Sequence, residues 1–209
     1  EYAARGDLEG ILLDHKTPIP YLQRLRWAKQ VAQGLHYLHT RNPRIIHRDI
    51  KSANILVDEL LCTKICDFGL AKRKTVSELP NEAKGTSIAA HSKVLNVRSV
   101  AVQFTTLVGT PAWTAPELIA NRSYTEKVDI YSFGVFLWEL MCRQTPHEGM
   151  PHFDLAYAIL SKHLRPAIPS WMPETIAQLM KSCWAHKPEF RPTIDVILKI
   201  VQVMLSQPK

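Results

Sequence analysis

Apolar residues set the first clear rhythm of the chain. Leu22, Leu25, Ala28, Ala32, Leu35 and Leu38 recur at steps of three and four, which predicts one apolar face of a helix introduced by Pro18 and Pro20 and ending near His39. Pro43 breaks that pattern. Ile55, Leu56 and Val57 then read as a short strand, Asp58-Glu59 as a turn, and Thr63, Ile65 and Cys66 as a second strand pairing back across it. From Lys72 to Thr106 neither a period of two nor one of 3.6 is sustained, and Ser, Thr, Lys and Ala dominate, so a long loop is expected there. VDIYSFGVFLWELM, from Val128 to Met141, is apolar nearly all round and predicts a central buried helix. Further helices fit 152–163, 174–184 and 193–205, and in the last Ile194, Ile197, Ile200, Val201 and Met204 share a face. Two strands among about six helices, with no internal repeat and no linker, predict a single mainly helical α+β unit.

Composition changes that picture little. A hydrophobic share of 46% and a charged share of 22% over 209 residues suit a globular domain with a sizeable core. The net charge is +7, but the 26 Lys and Arg are scattered, the densest cluster being Lys72, Arg73 and Lys74. No basic stripe with interleaved aromatics appears, so nucleic acid is not an expected partner. The four cysteines, Cys62, Cys66, Cys142 and Cys183, have no zinc spacing and read as free thiols of a reducing compartment. Cys66 reads as a small buried residue rather than a reactive thiol. The opening EYAARGDLEG lacks the apolar core of a signal peptide, and Ile130 to Trp138 is too short to span a bilayer. A cytoplasmic location is expected, with room for a membrane anchor elsewhere in a larger protein.

The chemistry concentrates in two places. H-R-D-I-K-S-A-N, residues 47–54, packs an imidazole, a guanidinium, a carboxylate, an ammonium and an amide between apolar runs, and Asp67 ends the second strand. The hairpin should bring Asp67 back beside Asn54. Asp and Asn oxygens are hard ligands that suit Mg²⁺. Asp49 would then be free to orient a hydroxyl and accept its proton, and Lys51 sits where it could neutralise a transferring phosphate.

These residues carry a resemblance to the protein kinases. His47-Arg48-Asp49 with Asn54 resembles their catalytic loop, Asp67-Phe68-Gly69 their magnesium motif, and Ala115-Pro116-Glu117 the end of their activation segment. Asp129 in VDIYSFG and Arg191 in EFRPT match two further family positions. The resemblance implies a kinase-like C-terminal lobe, a helical bundle with a small β-hairpin at the active site, using ATP and Mg²⁺ on protein Ser/Thr hydroxyls. It implies Asp49 as catalytic base, Lys51 as the lysine that steadies the γ-phosphate, and Asn54 and Asp67 as metal ligands. Backbone groups of Glu1 and Ala3 would meet adenine, Asp7 the ribose, and Leu56 the underside of the base. Arg48 resembles the arginine that pairs with a phosphate on the activation segment, where Thr105 and Thr106 are the expected phosphosites. His47 and Phe68 resemble members of a stacked apolar column, and Asp129 a brace for the loop backbone. Thr110 resembles the threonine that bonds the base aspartate and the lysine, and Glu117 with Arg191 a buried ion pair. Trp113 could line the substrate groove; Trp138 and Trp184 read as core. Lys51 and Gly109-Thr110-Pro111 give the serine/threonine pattern, in the style of the tyrosine-kinase-like group.

The chain also departs from the family pattern. None of its eight glycines forms Gly-x-Gly-x-x-Gly, and no V-A-I-K-like strand is present. Residues 1–209 therefore read as a partial kinase domain, hinge and large lobe without the small one. The expectation is that they bind ATP poorly alone and expose an apolar roof. A non-catalytic, pseudokinase-like docking module is the alternative reading. The stretch 70–108 reads as one long activation-segment loop, with its surplus over the family near 76–101.

Overall fold

The computed structural model describes residues 3–75 and 110–206, which hold seven α-helices and four short strands. The helices are α1 (Leu8–Leu13), α2 (Tyr21–His39), α3 (Pro116–Ile119), α4 (Lys127–Cys142), α5 (His152–Ser161), α6 (Glu174–Cys183) and α7 (Ile194–Ser206). The strands are β1 (Arg44–Ile46), β2 (Ile55–Val57), β3 (Thr63–Ile65) and β4 (Lys72–Lys74). Three-residue 3₁₀ turns cover Ser52–Asn54, Phe68–Leu70, Pro111–Trp113 and Pro188–Phe190. The mainly helical reading holds.

The periodic stretch forms α2, which buries Leu25, Ala28, Ala32, Leu35 and Leu38 together with Trp27 and Val31. It packs along α7 and against α4. Helix α4 is the centre of the bundle: every residue from Lys127 to Met141 is buried. Such a helix has no solvent face, so its polar residues must find internal partners. Even Lys127 does, donating from Nζ to the Arg191 carbonyl at 2.7 Å. Gly134 lets α6 approach α4 closely, since a Cβ there would sit 2.7 Å from Cys183 Cβ and 3.2 Å from the Trp184 nitrogen.

Strands β2 and β3 form the expected hairpin, with Ile55 opposite Ile65. Asp58 closes its turn by accepting from the Leu60 and Cys62 N–H groups at 2.9 and 2.8 Å. Two side chains of α2 fasten the hairpin to the helix. Trp27 donates to the Leu61 carbonyl at 2.9 Å, and Gln30 accepts from the Thr63 N–H at 2.9 Å.

Two features depart from expectation. Residues 70–75 are not featureless loop: β4 pairs antiparallel with β1, Ile46 opposite Lys72 and Arg44 opposite Lys74. Polar side chains hid that strand, because only its backbone is needed for the ladder. The amphipathic signal of α1 was also missed. Six residues, N-capped by Asp7, are too few for a period to stand out. Among the described residues, large exposed apolar side chains include Leu60 in the hairpin turn and Phe68 after it, as well as Phe153, Tyr157, Trp171, Phe190 and Val203 on α5 to α7 and their connections. Among the described residues, no helix is long and apolar enough to cross a membrane.

Candidate active site

The 47–54 loop leaves β1 and is held from below by α4. Asp129, fully buried, accepts from the His47 N–H at 2.9 Å and the Arg48 N–H at 2.7 Å. His39, at the end of α2, adds a third bond from Nε2 to the same carboxylate at 2.8 Å. These bonds fix a tight bend, in which Arg48 takes the left-handed φ of 69°. That conformation is costly for a non-glycine residue, and a fully used carboxylate is what offsets it.

The bend presents Asp49. Its Oδ2 accepts from Asn54 Nδ2 at 2.8 Å and lies 3.1 Å from Lys51 Nζ. Asn54 Nδ2 also donates to the Asp49 carbonyl at 2.8 Å, which leaves its oxygen as the atom available to a cation. Lys51 Nζ donates onward to Thr110 Oγ1 at 3.0 Å. Thr110 thus reaches Asp49 through the lysine.

The hairpin then returns the chain. The Cys66 N–H donates to the Asn54 carbonyl at 3.0 Å, which sets Asp67 beside the 47–54 loop. Asp67 is exposed, takes a left-handed φ of 57°, and caps the next turn by accepting from the Gly69 N–H at 3.2 Å. His47 fastens this corner from the other side. Its Nδ1 accepts from the Asp49 N–H at 3.3 Å, so its Nε2 carries the proton and donates to the Cys66 carbonyl at 2.9 Å. Its ring meets Phe68 edge-on at 5.0 Å. Burial pushes the Cys66 thiol above its ordinary range, and the nearby Asp67 and Asp7 carboxylates push it further. A thiol so placed is a poor nucleophile.

Arg48 turns outward. Its Nε and Nη2 both donate to the Leu70 carbonyl, and its Nη1 to the Tyr124 hydroxyl at 3.3 Å. Lys74 Nζ lies 3.6 Å from the centre of the Tyr124 ring. On the opposite side, residues 3–7 run beside β2: Arg5 N–H donates to the Val57 carbonyl and Val57 N–H to the Gly6 carbonyl, at 3.1 and 2.9 Å. Asp7 bridges to Leu56 there and spends Oδ1 on the α1 cap. The Ala3 carbonyl accepts from the Gly6 N–H at 3.2 Å.

The deciding comparison is with the family model described as protein tyrosine and serine/threonine kinase, which matches residues 1–201. The chain belongs to the protein kinase family. It is 38% identical over 205 residues to the dual specificity protein kinase shkA of Dictyostelium discoideum, covering 96% of this chain and 34% of that protein. It is 36% identical to the probable serine/threonine-protein kinase drkC of the same organism, covering 98% of this chain and 24% of that one. A putative serine/threonine-protein kinase/receptor of Acanthamoeba polyphaga mimivirus, R826, is also 36% identical, over 11% of its own length. The chain thus spans about a third or less of these relatives.

Within this kinase lobe, Glu117 and Arg191 meet as a buried bidentate pair at 2.6 and 2.8 Å. Trp113 does not line a groove: it is 5% exposed, and its indole N–H donates to Glu139 at 3.1 Å. The turn that carries it packs against both α4 and α5. Glu1, Thr105 and Thr106 lie outside the described residues. The sequence reading passed over Glu139, Ser132 and Tyr124. Glu139 could have been found as the one charged residue inside the apolar run from Phe133 to Met141.

Proposed function

We propose that the protein containing this lobe transfers the γ-phosphate of ATP to Ser or Thr hydroxyls of other proteins on the cytosolic side. The observation that carries this reading is the chain from Asn54 through Asp49 and Lys51 to Thr110. It leaves a carboxylate oriented by an amide, with an ammonium shared between that carboxylate and a hydroxyl. A substrate hydroxyl meeting Asp49 would be aligned and would lose its proton there, while Lys51 offsets charge on the phosphoryl group.

Asn54 would supply a neutral amide oxygen and Asp67 an anionic carboxylate. Among the described residues, no three His, Cys, Asp or Glu side chains converge as a metal site. Two protein ligands fit Mg²⁺, which keeps waters and phosphate oxygens in its shell. When bound it would neutralise the β- and γ-phosphates. Ala3, Asp7 and Leu56, with Glu1, would border the nucleotide. Arg48 would trade the Leu70 carbonyl for a phosphate on the activation segment, with Thr105 or Thr106 as the acceptor.

The test uses the full-length protein with ATP, Mg²⁺ and Ser, Thr and Tyr peptides. Asp49→Asn should remove phosphotransfer and leave nucleotide affinity within about twofold. Transfer by Asp49→Asn at the wild-type rate would sink the base assignment. Preference for Tyr over Ser and Thr would overturn the substrate class.

A further inference from the structure

Helix α4 carries three polar residues that all face the working side of the lobe: Asp129, Ser132 and Glu139. Spacings of three and seven place them along one stripe of a helix in which every residue from Lys127 to Met141 is buried. Asp129 grips the start of the 47–54 loop. Ser132 donates to the Trp113 carbonyl at 2.7 Å. Glu139 does both jobs at once. Its Oε2 accepts from the Ser52 N–H at 3.1 Å and from the Trp113 indole N–H at 3.1 Å, and its Oε1 accepts from the Ser52 hydroxyl.

Ser52 lies three residues after Asp49, and Trp113 three after Thr110. The link from Lys51 to Thr110 joins the same two segments at the active-site surface. Glu139 therefore forms a second rung beneath the first, with 3% exposure. We propose that Glu139 is a positioning residue for phosphotransfer, setting the register of the 47–54 loop against the 110–114 segment, and that its ionisation tunes this register. The inference rests on the kinase reading of Asp49.

The chemistry of the carboxyl gives the direction. Ionised, it accepts all three donors. Protonated, it must donate to Ser52 Oγ, which reverses that bond and weakens Oε2 as an acceptor for the other two. Burial pushes the Glu139 carboxyl up to about 7, against the pull of its hydrogen bonds to Ser52 and Trp113. Glu9 on α1 adds to the rise, while Asp49 and Lys51 in the adjoining loop are paired with each other. The switch between the two forms thus falls near neutrality. Glu139→Gln imitates the protonated form, because its amide NH₂ donates toward Ser52 Oγ and only its oxygen accepts.

The experiment compares full-length wild type, Glu139→Gln and Ser52→Ala from about pH 6 to about pH 8.5. Wild-type kcat should fall as pH drops through about 7. Glu139→Gln should be about tenfold slower at the alkaline end, with that transition gone and nucleotide affinity unchanged. Ser52→Ala removes a bond that favours the charged form, so it should move the transition to higher pH. Hydrogen exchange at the alkaline end is read in parallel, and both variants should exchange faster across 47–54 and 110–114. A Glu139→Gln enzyme with the wild-type rate and pH profile would overturn the inference while leaving the kinase reading intact. Unchanged exchange in both segments would overturn it whether or not the protein transfers phosphate. If Glu139→Gln does not fold, the Ser52→Ala shift and exchange decide the matter.

Discussion

Replacing either partner of the Glu117–Arg191 pair should bring the lobe close to unfolding. The Arg191 side chain is 0% exposed, and all five of its N–H groups are used. Nε donates to the Ala185 carbonyl, Nη1 to Glu117 and the Lys127 carbonyl, and Nη2 to Glu117 and the His186 carbonyl. Glu117→Gln keeps the shape but leaves a buried cation facing a neutral amide. Arg191→Met leaves a buried carboxylate and three carbonyls without their donor. Removing one member of such a pair costs about 3–5 kcal/mol, against a total stability of about 5–15 kcal/mol for a domain. The double variant carries no stranded charge. It should therefore cost about as much as one single variant, far below the sum. Guanidinium chloride unfolding followed by tryptophan fluorescence gives the three differences. Because the pair is dry, moderate salt should leave them unchanged. Single variants costing less than about 1 kcal/mol, or a double variant equal to the sum, would refute this account.

Other consequences can be checked in the same way. Gly134→Ala gains helix propensity of about 1 kcal/mol, yet its Cβ would collide with Cys183 at 2.7 Å; the thermal midpoint should fall, and a rise would show that α4 and α6 separate freely. Glu139 has its proton held to about 7 when folded against an ordinary value of 4.5, so its contribution to stability is complete below 4.5 and lost as pH rises through 7. That loss is roughly 3 kcal/mol, and Glu139→Gln should unfold with no such slope between those pH values. Asp129→Ala strands the His47 and Arg48 N–H groups and should cost about 2–4 kcal/mol in unfolding experiments, with phosphotransfer falling further than stability alone explains. His186, held below the ordinary histidine range first by burial and then by His163, favours folding above 6.5 and loses that advantage as pH falls. His186→Asn should flatten the acid limb of a stability profile.

Much of this lobe was readable because its core obeys simple periods. Helix α2 and α7 each bury one stripe, and α4 buries everything, so their spacing in sequence sufficed. The hairpin was equally open, being bounded by Asp58 and Glu59 and built from branched residues. What escaped was structure made by backbone alone. Lys72, Arg73 and Lys74 have no strand-like alternation, and they pair with β1 only because that strand is laid beside them. Around Asp49 the residue types announced the chemistry, but not the wiring. Nothing in the order of letters says that Asn54 spends its nitrogen on Asp49, or that Lys51 stands between Asp49 and Thr110. Trp113 was misread for a related reason. A large ring near a reactive loop can face either way, and the carboxylate that turns this one inward lies on another helix.

The polar stripe on α4 also governs how positional error spreads through the molecule. Lys51 and Thr110 are 59 residues apart in sequence. If each were located by following the chain, small uncertainties at every residue would accumulate between them. Both segments are instead tied, through short bonds, to one stiff rod. Their mutual position then inherits the tolerance of that rod and a few hydrogen bonds, whatever the path between them. Lengthening or rewriting that path need not blur the geometry at its two ends. A lobe organised in this way can accept changes in the intervening chain and keep its reacting groups aligned to fractions of an ångström.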